Sequence, residues 1–129
     1  NKNWTYLNTN YKNNAYTTNI LSSEIVSLLK EEEPPIIQNL IPDINATYRS
    51  QDINKLHFNV EDKLSGISGI DNISIEIDDL PILFDYNPYR KEVFYEFDEN
   101  LSIGNHLLKI EIKDNVGNLK SIKGSFIIK

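Results

Sequence analysis

The sequence predicts an all-β fold: an immunoglobulin-like β-sandwich of about seven strands, preceded by a short three-stranded β segment from a neighbouring domain. Three observations carry this. Apolar residues recur at every second position in one stretch after another. Turn-forming residues separate those stretches at sandwich-like spacing. Helical periodicity is nearly absent.

Strands are expected at roughly 36–41, 53–61, 72–78, 81–86, 92–97, 105–113 and 119–128. Leu56, Phe58 and Val60 alternate with His57, Asn59 and Glu61, and Ile73, Ile75 and Ile77 alternate with Ser74, Glu76 and Asp78. Val93, Tyr95 and Phe97 form one face of the next strand. Leu108, Ile110 and Ile112, then Ile122, Phe126 and Ile128, repeat the pattern. Each is a strand with one face in a core and the other in water.

The gaps carry turn chemistry. Asp78-Asp79-Leu80-Pro81 predicts a tight connection, and Asn87-Pro88-Tyr89-Arg90 a turn before Val93. In Asp114-Asn115-Val116-Gly117-Asn118, a type I turn followed by a left-handed Gly117 gives a hairpin with a bulge. Only glycine takes that conformation without steric cost.

Residues 1–33 read differently. Trp4–Leu7, Ala15–Ile20 and Glu24–Lys30 are three short strands around an Asn-rich turn, with one short helix over Glu24–Lys30 as the alternative. Three strands rarely stand alone, so residues 1–33 are expected to be the tail of a preceding β domain plus a linker, and 34–129 the sandwich. In the linker Glu31-Glu32-Glu33-Pro34-Pro35, three like charges are expected to resist packing and the prolines to stiffen the exit.

Composition narrows the function. A net charge of −6 and a pI near 4.8 speak against nucleic acid and anionic membrane surfaces as partners. No apolar run is long enough to span a bilayer. With no cysteine, disulfides, Cys-ligated zinc and thiol nucleophiles are all excluded. The abundance of Ile, Asn, Lys and Tyr fits an AT-rich bacterial genome.

No residue set reads as catalytic. His57 falls on the polar face of its strand and is expected to be solvated. His106, two residues after Gly104 at a corner entering a strand, is expected to hydrogen-bond a backbone carbonyl, as a corner tyrosine does in sandwiches. Asp62, Asp71 and Asp114 lie at strand ends. Capping of backbone amides is their leading reading, and calcium binding the lesser one; no other cofactor is expected. Tyr86, Tyr89, Arg90 and Tyr95 gather around one turn as a contact patch for a protein or glycan, or Tyr86 and Tyr95 cover the edge of the core.

Four stretches carry a resemblance: Pro34-Pro35-Ile36-Ile37 as a proline-led opening strand, Asp62-Lys63-Leu64-Ser65-Gly66-Ile67 as a D-x-x-S-G-I loop, Leu101–Leu108 as an L-x-x-G-x-H-x-L corner, and Asp114–Asn118 as a D-x-x-G-N hairpin. In their order, residues 34–129 resemble bacterial Ig-like accessory domains, particularly those C-terminal to the catalytic domain of M23-type peptidoglycan metallopeptidases. Ser68-Gly69-Ile70 lengthens the loop beyond the common form. The resemblance implies a non-catalytic structural or interaction module of a larger secreted or envelope protein, accessory to a cell-wall peptidase whose zinc motifs lie elsewhere. Its expected partners are other domains of the same chain, cell-wall glycan or a surface protein. A carbohydrate-binding module or adhesin domain is the alternative.

Overall fold

A computed structural model describes residues 5–20, 26 and 30–129. The first strands, β1 (Asn10–Lys12) and β2 (Ala15–Thr17), pair antiparallel as a sheet of their own. Asn13 and Asn14 both take positive φ between them, the geometry of a two-residue I′ turn. Tyr11 and Tyr16 face each other across the hairpin, with ring centroids 4.6 Å apart. The expected first strand over residues 4–7 is thus displaced: 5–7 carry no ladder, and strand begins where the chain can close on the Asn-Asn turn. Trp4 and most of Glu24–Lys30 lie outside the described residues.

The sandwich follows. β3 is Ile36–Ile41, β4 Thr47–Tyr48, β5 Lys55–Glu61, β6 Ile73–Ile77, β7 Leu80–Pro81, β8 Asp85–Asn87, β9 Glu92–Glu96, β10 Gly104–Lys113 and β11 Leu119–Ile128. One sheet runs β4-β11-β10-β6-β7 and the other β3-β5-β9-β8. Their inner faces are the predicted alternating sets: Leu56, Phe58, Val93, Leu108, Ile110, Ile112 and Phe126 are fully buried, with Ile75 and Ile128 nearly so. Tyr95 and Phe97 pack edge-to-face on this core, their centroids 5.6 Å apart.

Two strands depart from simple alternation. In β3, a register shift between Gln38 and Ile41 centres on Asn39, whose φ is 55°. The bulge turns Leu40 inward beside Ile37 and leaves Ile41 at the surface. The expected strand 81–86 is not one strand. Asp78 and Asp79 form a second two-residue turn with positive φ, β7 pairs with β6, and β8 crosses to pair with β9 in the opposite sheet. Ile82, Phe84 and Tyr86 still pack on the core, which is why the segment alternates like a strand.

The connector before β3 does not stay in solvent. Pro35 is buried and Glu31 half-buried. The Ser65 amide donates to Glu31 Oε2 at 3.0 Å, and Asn118 Nδ2 lies 3.4 Å from the Glu31 carbonyl oxygen. The expectation that like charges keep this segment from packing is corrected here: backbone and amide donors on the loops offset the repulsion.

Candidate functional site

The loops at one pole of the sandwich converge on carboxylates. Asp62 follows β5, and its Oδ1 accepts hydrogen bonds from the amides of Leu64 (3.1 Å) and Gly66 (2.7 Å). Gly66 holds φ at 76°, the left-handed region that lets the loop wrap around the carboxylate. Asp114 opens the β10–β11 turn and is only 2% exposed. Its Oδ1 accepts from the Val116 and Asn118 amides at 3.0 and 2.8 Å, and its Oδ2 from Asn118 Nδ2 at 2.8 Å. Gly117 sits at φ 98° and the Asp114 amide donates to the Asn118 carbonyl at 3.0 Å, so the five-residue turn forms as its sequence predicts.

Glu31 joins these two. One carboxylate oxygen each from Glu31, Asp62 and Asp114 lies within 4.8 Å of the others. Like charges at this spacing repel by roughly 3 kcal/mol per pair at an effective dielectric of about 20. Among the described residues, none of the three is in an ion pair with a Lys, Arg or His. Two buried side-chain oxygens here have no hydrogen-bond partner among the described residues, Asp62 Oδ2 and Ser65 Oγ, and Ser65 is 3% exposed. Asp71, grouped with Asp62 and Asp114 in the sequence reading, is not part of this cluster. It is exposed in a 3-10 turn over Ile70–Asn72, which uses the three residues Ser68-Gly69-Ile70 that lengthen the loop.

The corner before β10 is built differently. Gly104 opens the strand opposite Ile128, and His106 is buried against Phe126. His106 Nε2 lies 2.7 Å from the Ser102 carbonyl oxygen, and Nδ1 lies 2.6 Å from Asp78 Oδ2. Both partners accept, so both ring nitrogens must donate, which requires the imidazolium. Burial alone pushes the His106 pKa down. The Ser102 carbonyl and the Asp78 carboxylate together outweigh it and hold the pKa above the usual histidine value. The carbonyl partner was expected from sequence; the Asp78 carboxylate was not. His57 is a correction: it is half-buried, with Nε2 2.7 Å from Glu92 Oε1 across the β5–β9 pair, rather than solvated.

The aromatic patch lies along β8 and β9. Asp85, Tyr86, Asn87, Tyr89, Arg90 and Phe94 line an open groove of about 620 Å³. Asn87 Oδ1 caps the turn by accepting from the Tyr89 and Arg90 amides, both at 3.1 Å. Tyr86 packs on the core, and burial raises its phenol pKa. Tyr95 packs on the core as well and Tyr89 is 97% exposed, so the patch divides into two structural tyrosines and one free one.

No protein-family model matches the chain, and no curated protein sequence does. Among solved structures, it is similar to the crystal structure of CopC from Methylosinus trichosporium OB3b. The TM-score is 0.57 at 12% identity, covering 74% of this chain and 93% of that one. At that identity the likeness is one of fold: the β-sandwich. Among the described residues, no helix is long and apolar enough to cross a membrane.

Glu31 was missed by sequence reasoning because a run of glutamates before prolines has no spacing that ties it to loops 34 and 83 residues away. The Asp62 and Asp114 turns were both legible, but their meeting is a property of the tertiary fold.

Proposed function

We propose that this chain is a non-catalytic interaction module that spaces and orients neighbouring parts of a larger bacterial surface or secreted protein. The observation that carries this is the path of the chain. The connector docks through Glu31 beside the Asp62 and Asp114 loops, whereas β11 leaves the Asp114 turn and ends at the far pole. A ten-residue strand separates the poles by about 33 Å. The connector thus meets one end of the sandwich and β11 ends at the other, as a spacer requires. Association with a cell-wall peptidase in the envelope rests on the resemblance of the four motifs. Amide exchange on the whole chain tests the spacer. A docked connector slows exchange at Ser65 in wild type, and Glu31→Ala speeds it; Ser65 exchange in wild type that stays fast both with and without added calcium defeats the reading.

A second reading, cell-wall glycan binding, is favoured by the groove beside Tyr89. Sedimentation with insoluble peptidoglycan checks it. Wild type should pellet and Tyr89→Ala should lose about tenfold in affinity, the value of one stacked aromatic contact. Equal behaviour of the two proteins removes the groove from consideration.

A further inference from the structure

We propose that Glu31, Asp62 and Asp114 bind a divalent cation of the calcium class, which fastens the connector to the pole of the sandwich. The proposal rests on the docked connector described above, since Glu31 belongs to it.

The first support is geometric. Oxygens coordinating one calcium ion lie about 2.4 Å from it, so any two can be up to roughly 4.8 Å apart. The three carboxylates meet that limit. The second is the state of the oxygens. Asp62 Oδ2 is buried without a hydrogen-bond partner although Asp62 Oδ1 accepts two. Ser65 Oγ is likewise buried without one, in the loop whose Ser65 amide meets Glu31 Oε2. Buried polar atoms are otherwise almost always paired, and an unpaired one calls for an ion, a water or a function.

Donor chemistry selects the metal class. Every candidate ligand is an anionic carboxylate oxygen, which suits a hard cation rather than zinc or copper. The half-buried, loop-borne arrangement favours calcium over magnesium, which demands a tighter octahedron and keeps more of its water. Each loop is already fixed by its own backbone bonds to Asp62 Oδ1 and to Asp114, so the cation would add the link between them and the connector.

Calorimetric titration of chelator-stripped whole chain with calcium chloride tests this. A saturable site with a Kd of roughly 10⁻⁴ to 10⁻³ M is expected, the range of extracellular calcium modules. Glu31→Gln and Asp62→Asn should each weaken it about tenfold or more, while Asp71→Asn leaves it unchanged. Both conservative variants keep side-chain volume, and their circular dichroism spectra control for folding. Absence of saturable binding at about 10 mM calcium, as expected if water alone fills the site, overturns the proposal. So does wild-type affinity in a folded Asp62→Asn chain. Ser65 amide exchange in calcium-free protein separates the two ideas: slow exchange without calcium binding overturns the cation site and leaves the spacer reading standing. Rapid exchange that slows on adding calcium supports the site and shows that docking depends on the ion.

Discussion

Asp78 and Asp114 both sit in turns of the same sheet, yet the fold treats their charges in opposite ways. At the His106 corner, the Asp78 carboxylate meets a ring that two acceptors hold in its charged form, and the Asp78 Oδ1 atom also accepts the Leu107 amide at 2.8 Å. Charge there is balanced within the protein. At the opposite pole, Asp114 meets Asp62 and Glu31, and among the described residues amide dipoles supply the balance. A sandwich that needs an acidic residue for structure can supply its counter-charge. Where three acids converge without one among the described residues, the proposed cation would supply it.

The sharpest way to break this contrast is to remove Asp114. With calcium absent, Asp114→Ala leaves the Val116 and Asn118 amides and Asn118 Nδ2 without their acceptor in a partly buried turn, a loss of about 3 kcal/mol by denaturant titration. A loss under about 1 kcal/mol would mean that the carboxylate is not needed for the turn. Asp78→Ala should cost less, about 2 kcal/mol, because the side chain is partly exposed while its imidazole partner is buried. The same titration reads it.

The His106 corner should also give the stability of the protein a pH slope. Its folded pKa is raised, so its contribution is fully present below the unfolded value of about 6.5 and is lost as pH rises through the folded pKa. The stability difference between wild type and His106→Gln should therefore shrink as pH rises above about 6.5 and through the folded pKa. A difference that grows with pH would show that the ring is neutral in the folded state. The smallest effect is expected from deleting residues 1–33. The 34–129 fragment should remain folded, with about 1 kcal/mol lost from the Glu31 contact and Ser65 amide exchange accelerated. An unfolded fragment would make the connector part of the sandwich rather than a segment docked on it.

How much of this could be read from the sequence follows from what alternation encodes. It reports which side chains face a core, so Leu56, Phe58, Val60 and their counterparts on β6, β10 and β11 were legible. It does not report which sheet a residue pairs in, and so 81–86 read as one strand although its ends belong to different sheets. The two-residue β4, bonded in parallel to β11, leaves no periodic trace. Turn chemistry was local and therefore visible at Asp114-Gly117-Asn118. The candidate site was visible only in pieces, because the approach of Glu31 to Asp62 and Asp114 depends on the path of the connector over the finished fold.

The docked connector and the end of β11 lie at opposite poles, and this has a mechanical consequence. Tension applied through the connector and Lys129 would run along the strands. It would reach the long β10–β11 ladder as shear, loading its hydrogen bonds together instead of opening them one at a time. The backbone bonds from the Lys129 amide to the Tyr48 carbonyl and from the Ser50 amide to the Lys129 carbonyl fasten the end of β11 to its neighbour. At the other end, Glu31 joins the connector to the Ser65 amide, so any ion that ties it to the Asp62 and Asp114 loops would decide how soon that contact parts under load.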